Sequence, residues 1–209
     1  MQTAFQQERS LPAHVLRVKP QARCSMDNGA TWRQIKRGDL LWPGSLIQMP
    51  RDLDACLTIA WWQRFMPTVV AGGDKGMAQK RAASALRVTL RHESKLKIEE
   101  SARVDTKGDE SRGVRVRLDL RSDVLIVANV GGPTSPMDCQ IKLRDCVVRL
   151  QDGVYALNAD GRVSVWRGRA SVYLPRTGRT EVVNSQEVFD CSSETFTPCA
   201  AYGPGFVVP

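Results

Sequence analysis

A chain of 209 residues that is 42% hydrophobic and 25% charged has enough apolar side chains for a core, which excludes disorder throughout. Its net charge of +8, with a pI near 9.5, favours anions such as acidic glycans or phospholipid surfaces, a statement about partners and not about fold. No nucleic-acid motif accompanies the charge, so nucleic acid is not the expected partner. No run approaches the roughly 18 apolar residues of a membrane span. The opening MQTAFQQERSLP also lacks the apolar stretch of a secretory signal, so the protein stays inside the cell or the chain is a mature or trimmed form.

In chain order, residues 1–12 read as a flexible lead-in. Short strands follow at His14 to Val18 and Ala22 to Met26, closed by the turn tripeptide Asp27-Asn28-Gly29. Trp32 and Ile35 are core candidates, Arg37-Gly38-Asp39 and Trp42-Pro43-Gly44 are turns, and Asp54 to Trp61 is a strand. Residues 62–85 carry Gly72, Gly73 and Gly76 without any period, so an inserted loop is expected. Its glycines lack the spacing of a phosphate-cradling loop.

Strands resume at Leu86 to His92 and Lys95 to Glu100. After the charged turn at 105–112, Val114, Val116, Leu118 and Leu120 alternate with Arg115, Arg117, Asp119 and Arg121. Asp123 to Val130 is more apolar and reads as a central strand, followed by a Gly/Pro loop. From Leu143 to Phe189 five short strands are separated by turn signals at Asp152-Gly153, Asp160-Gly161, Arg167-Gly168 and Thr177-Gly178. The two-residue period predicts one buried and one wet face per strand. The expected fold is therefore all-β, an antiparallel sandwich or a short solenoid or roll of hairpins with an irregular insertion.

Two blocks resemble the FecR-type sensor domain family. The first is Trp32-x-x-Ile35-x-x-Gly38-Asp39-x-Leu41-x-Pro43-Gly44-Ser45-x-Ile47, followed by the strand at Ala55 to Ile59. The second is Gly161-x-Val163-x-Val165-x-x-Gly168-x-Ala170-x-Val172, then Thr180-x-Val182. The resemblance covers about residues 20–190 and implies an extracytoplasmic β module. In well-known members it relays a signal from an outer-membrane transporter to an anti-sigma segment, and many others are modules of envelope or surface proteins. It implies a FecR-like domain at 13–190 with the loop 62–85 inserted, a C-terminal tail at 191–209, and a periplasmic or cell-surface location. The broader envelope reading suits a sequence without anti-sigma helices.

No catalytic set, metal site or cofactor site emerges. His14 and His92 fall in no metal-ligand spacing, and no Gly-x-Ser-x-Gly nominates a nucleophile. Glu99 and Glu100, as neighbours on a strand, should face opposite ways. The chain is thus expected to be a non-enzymatic module that binds protein partners, or copies of itself, through open sheet edges. The alternative is a polyanion- or carbohydrate-binding domain. It would use an arginine stripe (Arg115, Arg117, Arg121, with Arg167 and Arg169 if their strands are neighbours) and the pair Trp61-Trp62, one of which must point outward. Six cysteines suit either disulfides or buried thiols, with Cys56 and Cys146 as core candidates. Cys191 and Cys199 bracket the tail and are the expected staple.

Overall fold

The structure, a computed structural model, describes residues 9–19, 21–62, 85–105, 112–130 and 137–199. Most of the expected lead-in and inserted loop, the centre of the charged turn, the Gly/Pro loop and the end of the tail lie outside these residues. Among the described residues there are nineteen strands and no helix. They are β1 (Arg9–Ser10), β2 (Ala13–Val18), β3 (Arg23–Ser25), β4 (Arg33–Gln34), β5 (Leu40–Leu41), β6 (Leu46–Gln48), β7 (Leu57–Trp62), β8 (Ala85–Leu90), β9 (Lys95–Asp105) and β10 (Arg112–Ser122). Then follow β11 (Val124–Val130), β12 (Met137–Lys142), β13 (Val147–Leu150), β14 (Gly153–Asn158), β15 (Arg162–Arg167), β16 (Arg169–Leu174), β17 (Arg179–Asn184), β18 (Glu187–Asp190) and β19 (Thr195–Pro198).

Two sheets share these strands. Sheet A runs β17-β16-β13-β12-β10-β9-β6-β3-β4, with β1 also on β9, and sheet B runs β19-β18-β15-β14-β11-β8-β7-β2-β5. From β3 onward the chain changes sheet after every one or two strands, and both sheets advance in the same direction. The expected hairpins are therefore wound between two layers. Pairing is antiparallel except between β10 and β12, whose parallel register (Val114 with Met137, Val116 with Cys139) arises because the chain visits sheet B as β11 in between.

Alternation decides what is buried. Val114, Val116, Leu118 and Leu120 of β10 point inward with Val148, Leu150, Ala170 and Val172 of sheet A. From sheet B come Leu57, Ile59, Trp61, Val88, Leu125, Val127, Val163 and Val165, and one cluster extends from Ala13 to Cys191. Most outward residues at the same strands are polar or half-exposed, with Ala60 and Val154 of sheet B as buried apolar exceptions. The Asp27 turn is self-contained: its carboxylate accepts from the Ser25 hydroxyl (2.5 Å) and from the Thr31 hydroxyl (2.5 Å) and N–H (2.9 Å). The Ser25 bond first, then those from Thr31, hold that carboxyl well below the usual carboxylate range.

The passage from β15 to β16, from sheet B to sheet A, turns on Gly168. Its φ is +94°, and a Cβ there would lie 2.0 Å from the Asp152 carbonyl oxygen, so only glycine fits. Beside it the buried Tyr155 donates its hydroxyl to the carbonyls of Gln151 and Arg169, both at 2.9 Å. Burial pushes that phenol up to about 12. The tail continues the fold: β19 adds to the edge of β18, with Phe196 packed on Phe189 at 4.7 Å between ring centres.

Candidate binding groove on the outer face of sheet B

The outward residues of β7, β8, β11 and β14 form rows across sheet B. Thr58, Thr89 and Ile126 are in register in one row, and Ala60, Arg87, Ala128 and Val154 in the next. The Thr58 and Thr89 hydroxyls hydrogen-bond across the strands at 3.2 Å. Small and apolar side chains here leave a depression of about 410 Å³, walled by Leu16, Leu53, Ile126, Val154 and Trp166 and ringed by Arg17, Lys19, Arg87 and Arg91, with Asp54 as the lining acid.

Two bulges shape its walls. On β2, Val15 pairs with Ile59 but Arg17 pairs with Thr58, so Leu16 is the extra residue. On β15, Val165 pairs with Tyr155 but Arg167 pairs with Val154, which leaves Trp166 extra. A bulged residue is re-aimed relative to the regular pleat, and both of these side chains line the depression. The rim is held by backbone bonds from Lys19 to the Cys56 carbonyl (2.8 Å) and from Ala55 to the Asp52 carbonyl (2.9 Å). Four cations against one carboxylate over an apolar floor suit an acidic ligand that also carries apolar groups.

The sequence-predicted stripe does not assemble as one unit. Between β10 and β16 stand β12 and β13, and Arg167 and Arg169 lie on different sheets either side of Gly168. Arg115 and Arg117 do share a face of sheet A, but with Arg149 they converge on Asp138. The separations to its carboxylate are 3.8, 2.7 and 3.4 Å respectively, and Arg115 also meets Glu100 at 3.3 Å. Burial pushes the Asp138 carboxyl up, but the Arg117 hydrogen bond and the three guanidinium charges outweigh it and leave the carboxyl below its ordinary range. Arg121 pairs with Asp119 at 2.9 Å.

Trp61 is the inward member of its pair: fully buried, it packs in the core, and among the described residues its indole Nε1 has no hydrogen-bond partner. It is thus out of a partner's reach, while the side chain of Trp62 lies outside the described residues. The expected Cys191–Cys199 staple is corrected by register. Asp190 faces Thr195 and Glu187 faces Pro198, so the two cysteines lie at opposite ends of the β18–β19 hairpin, roughly 16 Å apart at ~3.3 Å per residue, beyond disulfide reach. Glu99 is likewise a bulge residue, since Leu118 pairs with Ile98 and Arg117 with Glu100; Glu99 and Glu100 therefore do not alternate as a regular strand requires. His92 sits 3.6 Å from Asp123, and among the described residues no group of three His, Cys, Asp or Glu is placed to hold a metal.

The groove residues give little local signal. Arg87 and Thr89 of β8 and Arg91 just after it share one parity, which is visible in the sequence, whereas Arg17, Lys19 and Trp166 join them only through pairing and bulges.

No family model matches the chain, and no curated protein matches it. Among solved structures, two crystal structures of a "putative anti-sigma factor" from Parabacteroides distasonis are similar to it, each with 13% identity and a TM-score of 0.36 over 54% of this chain. The match spans about half of those chains, 49% and 50%.

Proposed function

We propose that this chain is a non-enzymatic binding module of the cell envelope, FecR-like in role, whose groove on sheet B holds an acidic, partly apolar segment of a partner protein. The observation that carries the reading is the ring of Arg17, Lys19, Arg87 and Arg91 around the floor of Leu16, Ile126, Val154 and Trp166. Cations steer and orient carboxylates, while affinity comes from apolar groups that leave water. On sheet A, Arg115, Arg117 and Arg121 pair with the carboxylates of Glu100, Asp138 and Asp119.

The test is fluorescence anisotropy of a labelled peptide alternating glutamate and leucine, titrated with the full chain at low and high salt. Binding is expected to weaken as salt rises. It should fall roughly tenfold or more in Arg87→Glu/Arg91→Glu and stay unchanged in Arg115→Glu/Arg117→Glu, with melting curves confirming that both variants fold. Wild-type affinity in the groove variant would end this reading. A second reading, an anionic glycan in the same groove, is favoured by Trp166 among the cations, since an indole stacks on a sugar face. Retention on heparin that the groove variant loses, with no peptide binding, would select it. The envelope location is checked by fractionating cells that express the native gene.

A further inference from the structure

Two buried cysteines outside the groove meet where the layers join. Cys146 ends the turn between β12 and β13 of sheet A, and Cys191 directly follows β18 of sheet B. Both belong to the shared core, with 2% and 3% of their surface exposed. Both are tied to the turn between β14 and β15. The Arg144 N–H donates to the Ala159 carbonyl at 3.1 Å, and the Leu143 N–H donates to the Cys146 carbonyl at 2.9 Å, which fixes the first turn. From the other layer the Cys191 N–H donates to the Gly161 carbonyl at 3.1 Å. A Cβ at Gly161 would sit 3.1 Å from the Cys191 Cβ, so glycine there lets Cys191 pack closely. The neighbouring Cys191 side chain, followed by burial, holds Cys146 protonated far above the ordinary thiol range.

We propose that Cys146 and Cys191 are a disulfide-forming pair that fastens sheet A to sheet B. Two S–H bonds break and one S–S bond forms. The two electrons and two protons pass to an acceptor disulfide such as oxidised glutathione, which leaves as two thiols. The thiolate is the attacking species, so the enclosed, protonated pair of the finished fold reacts slowly. The bond forms while the layers are closing, and the same enclosure then keeps reductants from it. This inference is independent of what the groove binds.

The test is to refold the full chain from denaturant in a mixture of oxidised and reduced glutathione, alkylate the remaining thiols in denaturant, and digest with trypsin and a glutamate-specific protease. Cutting after Glu194 separates Cys191 from Cys199. The expected product is Asp145–Arg149 linked to Val188–Glu194. Recovery of both peptides alkylated, or of Cys191 linked to Cys199, overturns the proposal. As a second readout, the oxidised chain should melt roughly 10 °C above the reduced one. The shift should vanish in Cys146→Ala/Cys191→Ala; a shift that persists there also overturns it.

Discussion

Tyr155 ties β14 to β16 and to the β13–β14 connection with one hydroxyl. Its bonds to Gln151 and Arg169 satisfy carbonyls at the point where Gly168 carries the chain from one sheet to the other. Tyr155→Phe keeps the ring packing and removes only those bonds, so it should cost about 1–2 kcal/mol, read as a lower denaturation midpoint at neutral pH. The phenol's rise to about 12 sets a pH signature. In the unfolded chain tyrosine ionises near pH 10, while the folded phenol keeps its proton. The stability linked to it is present below about pH 10 and is lost as pH rises through 12. Wild type should therefore lose midpoint across that window more steeply than Tyr155→Phe, and parallel curves would contradict the assignment. Alternation marks Tyr155 as an inward strand residue, yet Val154 beside it is buried as well, because its outward side chain lines the groove opposite a bulge of β15. Side-chain parity alone does not announce such an interruption.

At the scale of strands, outward faces divide into one that is internally paired and one that is ringed with cations. On sheet A, Asp138 of β12 draws Arg115, Arg117 and Arg149 from two neighbouring strands. Its carboxyl is held below the ordinary range, so the associated stability is present above about pH 4 and lost as pH falls below it. Asp138→Ala should cost about 1–2 kcal/mol and abolish that acid limb in pH-dependent denaturation. It should also delay elution from heparin, because three guanidinium groups lose their shared counter-charge. Earlier elution would show that the cluster is not what masks them. The alternating arginines of β10 were legible as an outward row, but their neutralisation was not, since Asp138 reaches them through a parallel pairing with a strand 21 residues from Arg117 in sequence. The groove was hidden for a related reason. Leu16 and Trp166 are displaced by bulges, and Arg87 and Arg91 look in sequence like any wet strand face.

For the molecule as a whole, inward residues before and after residue 75 enter one cluster, from Ala13 and Val15 to Phe189 and Cys191. Calorimetry should accordingly show a single unfolding transition whose van't Hoff and calorimetric enthalpies agree, and two resolved transitions would divide the core. The all-β class was readable because a period of two, broken by glycine turns, admits no helical packing. Which strand belongs to which layer was not readable, because both layers bury alternate residues in the same way and parity is blind to the exchange between them. That exchange has a consequence for assembly in time. Almost every strand finds its first neighbour on a segment already synthesised, so a nascent chain can deposit its turns one upon another from the amino end, and a polypeptide threaded unfolded through a pore would regain its shape as it emerges.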